Sequence, residues 1–502
     1  MSLLQVFCEY VLRGILSPNQ AVKIVQDLLF HTSNRLYKLN LSLEPTASLT
    51  SPEVGPQQIN NPKIEGLEKF LEFIAHPERS IDYIFLQWLD YTATLRVRVL
   101  PKKQAIKRFK EGKLIGITKA VLGLLQQDAM CPGFTAVGEY TLYPDFDSLR
   151  IGATTGEAVV QCEFREKSGG EAVPICPRTV LRNIVEKSAI RGTSFLIGFE
   201  VEVVFMDQKL VEGQFHYDEE PARDGHTWSG ARALQDTQMT TFVSIIVSTL
   251  SRSGIEVEQL HPESAPGQWE FILSPSPPLQ AVDTLLVARG IIHTIARSFS
   301  KRATLVPKAY PSAAGSGAHV HMSMTPLHQY EMFYAGVLKH LRAIAAFTYS
   351  NAASYERAGD SVWAGGTWVA YGSQNREAPL RKIEDSHWEL KCMDGLANPY
   401  LALSAIIGAG LQGILDKEVL TMKDCTKDPA ALTEEEKTDF GISERLPQSI
   451  DEALDCLRHD TQLRDIMGGA VIDTYLTVKK AECEMLQAMA AGKRRNWLIE
   501  RY

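Results

Sequence analysis

The sequence predicts an α+β fold in two parts: a small β-rich domain, then a larger one with a central antiparallel sheet and flanking helices. Its 502 residues exceed one ordinary domain, so a large unit plus a smaller one is expected. Strands show as period-two alternation, in Gly198-Phe199-Glu200-Val201-Glu202-Val203-Val204-Phe205 and again in Ala318-His319-Val320-His321-Met322-Ser323-Met324. Helices show as apolar residues at helical spacing, which dominate the C-terminal part of the chain.

Residues 1–40 read as a helical extension, with Ala21, Ile24, Val25, Leu28 and Leu29 at helical spacing. Over 41–62 that periodicity gives way to Ser, Pro, Thr and Asn, and 41–75 reads as a linker. Residues 76–151 read as the small β-rich domain, opening with two strands around the turn Asp90-Tyr91-Thr92. Residues 152–502 form the larger domain. A helix follows Cys176-Pro177, where proline suits the first helical turn. A strand over 194–205, a helix over 231–250, a hairpin over 255–271 and a helix over 279–299 come next. Strands are expected at 303–308 and 318–324, separated by the small-residue loop Ser312-Ala313-Ala314-Gly315-Ser316-Gly317. Helices resume at Asn398-Pro399-Tyr400.

The formal net charge of −8 argues against a generally basic nucleic-acid surface, although a local arginine cluster can still hold phosphate. Eight scattered cysteines without a CxxC pair read as reduced core thiols of a cytoplasmic protein. The N-terminus has no basic region followed by a long apolar run, so no secretory signal is expected. No uninterrupted apolar stretch approaches about 18 residues, so no membrane-spanning helix is expected either.

Chemistry concentrates in four segments. In the first, Glu200 and Glu202 share one strand face while Phe199, Val201, Val203 and Phe205 share the other. That pattern fits a solvated sheet surface as well as a cation site. In the second, Pro266-Gly267 marks a tight turn that brings Glu263 and Glu270 together, an arrangement costly without a cation. In the third, His319, His321 and Ser323 share a strand face behind the small-residue loop, and HxH also occurs in zinc hydrolases. In the fourth, Arg376 and Arg381 offer fixed positive charges suited to phosphate, and Glu389 shares a face with His387 and Lys391. Five carboxylates and an imidazole directed at one cavity suggest a pair of divalent cations, and cations beside arginines suggest phosphate chemistry.

Together these segments resemble glutamine synthetase from about Ile81 to the C-terminus. G-x-E-x-E, E-x-x-x-G-Q-x-E, G-S-G-x-H-x-H, N-R-x-A-x-x-R and the E…D-x-x-A-N-P-Y-L block occur in that family's order. The resemblance implies a β-grasp-like small domain followed by a glutamine-synthetase-type catalytic domain. It implies two magnesium or manganese ions, one on Glu202, Glu263 and Glu270, the other on Glu200, His319 and Glu389. It implies that His321, Ser323, Arg376 and Arg381 lie near ATP and its transferred phosphate. Arg357 would grip an amino-acid carboxylate, and Gly315 would sit in the loop touching that substrate. The implied reaction forms an amide from a carboxylate and ammonia or an amine through an acyl phosphate. A homo-oligomeric ring is implied as well, with small molecules as the other partners and neither nucleic acid nor membrane among them.

Some positions depart from the pattern. Lys391 and His387 replace expected arginines, and a lysine cannot make a planar bidentate contact. Ala314 stands where an asparagine would hold glutamate. The small domain lacks the Phe-Asp-Gly-Ser-Ser segment that supplies an ammonium-binding aspartate, and Asp90 is not that aspartate. The stretch from Trp88 to Pro101 is similar to the small domain of fungal FluG-type proteins, and 1–40 is similar to the last helices of their amidohydrolase part, as in a remnant of that fusion. A catalytically weak signalling protein and a guanidino kinase remain open beside the ligase.

Overall fold

The computed structural model describes residues 64–211, 214–218 and 226–502, together with Ile24. The helical extension expected over 1–40 and the greater part of the expected linker lie outside them. The end of that linker is helical instead: α1 (Leu67–Ala75) forms because Phe70 and Ile74, a turn apart, both bury.

The first sheet contains β1 (Ile81–Leu89), β2 (Leu95–Pro101), β3 (Ile115–Thr118), β4 (Glu139–Pro144), β5 (Arg150–Ile151) and β6 (Gly156–Glu166). Its order is β2-β1-β6-β4-β3, with β5 also on β6. The expected hairpin is present as β1 and β2, and β1 runs parallel to β6. Helix α2 (Lys102–Lys110) follows β2 directly and buries Ala105 and Phe109. Because β6 belongs to this sheet, the sheet extends past the boundary expected at residue 151.

After α3 (Pro177–Ile190), which starts on proline as expected, comes the long strand β7 (Ser194–Val211), with β8 (Gln214–Asp218) folded back on its end. The helix expected over 231–250 is divided. A short π turn covers Ala231–Gln235, and Asp236 then accepts a hydrogen bond from Met239 N–H at 3.0 Å to cap α4 (Thr237–Arg252). The hairpin β9 (Val257–Pro262) and β10 (Gln268–Leu273) precedes α5 (Pro278–Ser298). Strand β11 is Lys301–Thr304 rather than 303–308, because its partner residues on β7 are Val204 to Asp207. Next come β12 (Val320–Thr325), α6 (Tyr330–Lys339) and α7 (Leu341–Thr348). The short strands β13 (Tyr371–Ser373), β14 (Leu380–Lys382) and β15 (Trp388–Leu390) precede α8 (Pro399–Asp416) and further helices to Ile499.

The second sheet is ordered β13-β14-β15-β12-β7-β10-β9, with β11 and β8 on the far end of β7. It is antiparallel except between β13 and β14. Phe199, Val201, Val203 and Phe205 are buried on one face of β7, which frees the other face for polar work. Helices α5 and α8 are long and apolar enough to cross a membrane by length and composition alone. Their apolar windows are 67% and 78% buried inside the fold, as core helices. The seven described cysteines are unpaired, six of them buried.

Candidate active site

Sheet register assembles the site. Across β9, β10 and β7, His261 stands opposite Glu270, which stands opposite Glu202. Across β12, β15 and β14, His321 stands opposite Glu389, which stands opposite Arg381. Glu200 lies between the two rows on β7, and its N–H donates to His319 O at 3.2 Å. The hairpin turn brings Glu263 back, and Glu263 N–H donates to Gln268 O at 2.9 Å.

Three sets of potential ligand atoms result, each within 4.8 Å of one another: Glu200, Glu202 and His319; Glu200, His321 and Glu389; and His261, Glu263 and Glu270. His319 Nε2 lies 3.0 Å from Arg357 Nη2, and Nδ1 lies 2.7 Å from Glu200 Oε2. An arginine can only donate, so Nε2 is the acceptor of that pair, while Nδ1 also lies 3.5 Å from Lys391 Nζ. His321 places Nε2 at 2.9 Å from the other Glu200 oxygen and Nδ1 at 3.0 Å from His387 Nε2. Glu389 accepts from Lys391 at 3.0 Å and from Arg381 at 2.9 Å. Gln268 donates to Glu202 at 2.9 Å and to Gly315 O at 3.0 Å.

The electrostatics differ between the ends. Burial pushes the Glu270 carboxyl up, and Glu200 and Glu202 add to this against His261, leaving it at about 8. Burial likewise raises Glu263, helped by Glu202. At Glu389 burial again pushes upward, but Lys391 and His319 prevail and hold it at about 2. Glu200 is driven well below the usual carboxylate range, because hydrogen bonds from His319 and His321 outweigh its burial. The crowded carboxylates at Glu263 and Glu270 thus lack the positive charge that Glu389 enjoys, and a divalent cation would supply it.

The small-residue loop is tight against these groups. A Cβ on Gly317 would lie 2.5 Å from His319 Nε2 and 2.9 Å from Glu202 Oε1, and one on Gly315 would lie 2.5 Å from Arg357 Cγ. Only glycine lets the loop pass. Arg357 itself is buried.

Not every expected residue joins the cluster. Arg376 is exposed on the turn before β14, and Ser323 is half-buried further along β12. Ala314 is exposed. Asp90 is fully buried elsewhere, bonded to Arg96 at 2.6 Å and to Thr92 at 2.8 Å. Sequence reading passed over His261, although a histidine two positions before Glu263 on one strand face was the available signal.

A family model described as glutamine synthetase, catalytic domain, matches residues 174–502. The chain is 41% identical over 501 residues to Protein fluG of Emericella nidulans, covering 99% of this chain. It spans 57% of the length of that relative. It is 30% identical over 435 residues to the gamma-glutamylpolyamine synthetase GlnA3 of Streptomyces coelicolor, covering 81% of this chain and 90% of that one. Among solved structures it is similar to a GmaS/ADP complex, with a TM-score of 0.71 at 21% identity over 86% of this chain and 99% of the other, a likeness of fold.

Proposed function

We infer that this chain, which belongs to the glutamine synthetase family, is an ATP-dependent ligase joining a carboxylate, glutamate or a similar acid, to ammonia or an amine. The observation that carries this reading is the convergence of Glu200, Glu202, Glu263, Glu270, His319 and Glu389 on one cluster bordered by Arg357, Arg381 and Lys391. Those six residues, with His261 and His321 beside them, would hold two magnesium or manganese ions. Bound there, such ions withdraw charge from phosphate oxygens.

The chain's own groups do the rest. Arg381, already oriented by Glu389 and Gln374, offers a rigid fork to a transferred phosphate. Arg376, on its exposed turn, would lie near the nucleotide. His321 and Ser323 face the same side of β12, the side on which ATP would bind. Arg357, held beside His319 and the Gly315 loop, would grip the amino-acid carboxylate. The substrate carboxylate oxygen attacks the γ-phosphorus and ADP leaves. The amine nitrogen then attacks the acyl carbon, a C–N bond forms, phosphate departs and the nitrogen loses a proton. Excluding water between the steps preserves the acyl phosphate. A homo-oligomer belongs to the same reading.

A catalytically weak regulatory protein of the fluG kind is the second reading. Asp90 is locked in a buried turn, and Lys391 spends its charge on Glu389. The two are separated by ADP release measured across a panel of acids and amines with ATP and magnesium. Turnover requiring both acid and amine marks the ligase, and ATP binding without turnover marks the regulator. Glu270→Ala should abolish turnover; an unchanged rate removes the two-cation site.

A further inference from the structure

The Lys391 side chain is only 3% exposed, and the Glu389 side chain that pairs with it is 1% exposed. Its ammonium donates to Glu389 Oε1 at 3.0 Å and stands 3.5 Å from His319 Nδ1. Those two atoms are themselves 3.4 Å apart. Glu389 and His319 are two of the three ligands of the second cation, so a charge of the chain's own already stands against both. The lysine backbone is fixed nearby. Its N–H donates to Pro379 O at 2.9 Å, and a Cβ on Gly365 would lie 3.0 Å from Lys391 Cβ.

The two ligand sets differ in their charge. The other oxygen of Glu389 accepts from Arg381 at 2.9 Å, and His319 Nε2 faces Arg357 Nη2 at 3.0 Å. Two carboxylates, Glu200 and Glu389, thus share the second set with Lys391, Arg381 and Arg357. The first set holds three carboxylates, Glu202, Glu263 and Glu270. Among the described residues none of those three forms an ion pair with a lysine or arginine. A divalent ion therefore relieves a deficit of positive charge in the first set and adds to a surplus in the second. In a place closed to water, like charges that compete for the same ligand atoms repel strongly.

We propose that the Lys391 ammonium is the resident cation of the second set, and that a divalent ion enters there by displacing it from Glu389. This deepens the ligase reading and rests on its two-cation site. Lysine suits the exchange, because its flexible four-carbon stem lets the ammonium withdraw while the backbone stays in place. An arginine at this position would hold the carboxylate through a rigid planar fork. Lys391 is thus a positioning residue that governs how readily the second ion binds.

Manganese binding to the full chain without nucleotide is followed by calorimetry and by the electron-spin resonance of free manganese. Wild type should show a tight class, with the second class weaker or undetected. Lys391→Met and Lys391→Gln should each strengthen the weaker class about tenfold or more, by removing the like charge. The tight class should stay unchanged, which also shows that the variants fold. Lys391→Arg keeps the charge and should show no such gain. Adding Glu389→Gln to Lys391→Met should abolish the gain. Two equally tight classes in wild type, no gain in either neutral variant, an equal gain in Lys391→Arg, or a gain that survives Glu389→Gln overturns the exchange. Wild-type crystals soaked in manganese chloride give a readout that needs no variant. The second set should hold either the ammonium on Glu389 Oε1 or the anomalous density of manganese, and both together on that oxygen overturn the proposal. A gain in binding without ADP release keeps the role of Lys391 and removes the ligase reading. ADP release without the gain does the reverse, and no manganese binding of either class removes both.

Discussion

Glu270 and Glu389 are carboxylates of one cluster, yet they titrate at opposite ends of the scale, near 8 and near 2. Burial raises both; the difference lies in the neighbours. Glu389 has Lys391 and His319 beside it, whereas Glu270 faces Glu200 and Glu202 with only His261 in relief. The signs follow by linkage. Because the folded value of Glu270 is above its ordinary 4.5, its contribution to stability is full below 4.5 and is lost as pH rises through about 8. Glu389 behaves oppositely, contributing above 4.5 and losing that contribution as pH falls toward 2. A divalent cation on Glu270 competes with its proton. Magnesium should therefore raise the Tm by more at about pH 8.5 than at about pH 6.5, as measured by thermal melting. Equal shifts at both pH values would show that the cation does not reach Glu270.

Among the elements, β15 carries Glu389 and has only three residues, all buried. Its position depends on α6: Trp388 stacks on Tyr334 at 4.0 Å, and Tyr334 donates its hydroxyl to Met322 O on β12. Helix α6 in turn meets α8 backbone to backbone. A Cβ on Gly336 would lie 2.5 Å from Ala409 O, and one on Gly413 would lie 2.3 Å from Met332 O. No side chain fits between them without separating the helices. Gly413→Ala should cost about 2 kcal/mol by overpacking. Urea unfolding would register it as a lower midpoint, and an unchanged midpoint would show that the helices can part freely.

Across the whole described molecule, a buried ionic network joins the first sheet to the helices of the second. Arg178 on α3 bonds Glu163 on β6 at 2.7 Å, Asp145 after β4 at 2.8 Å and Asp283 on α5 at 2.7 Å. Tyr400 on α8 donates to Asp283 at 2.6 Å, and Arg182 adds contacts to Asp145 and Glu163. Removing the central cation leaves buried carboxylates uncompensated. Arg178→Met should destabilise the fold by about 3 kcal/mol, since breaking a buried pair from one side typically costs 3–5. Arg182 accounts for the lower end of that range. A wild-type unfolding midpoint in that variant would mean that the network carries no load.

The sequence by itself determined which faces the strands present, because a period of two is local and needs no partner. Phe199, Val201, Val203 and Phe205 had to go one way, and Glu200 and Glu202 the other. It also determined most of the helices and the glycine-lined loop. Tertiary structure alone decided which residues meet. Register between strands distant in the chain set His321 across from Glu389 and His261 across from Glu270. It left Arg376 outside the contacts of the cluster and drew in His261, and it delayed the start of the expected helix to the cap at Asp236. Periodicity is a property of neighbouring residues, whereas register is settled by which long-range pairing buries the most apolar surface, and no single segment contains that information.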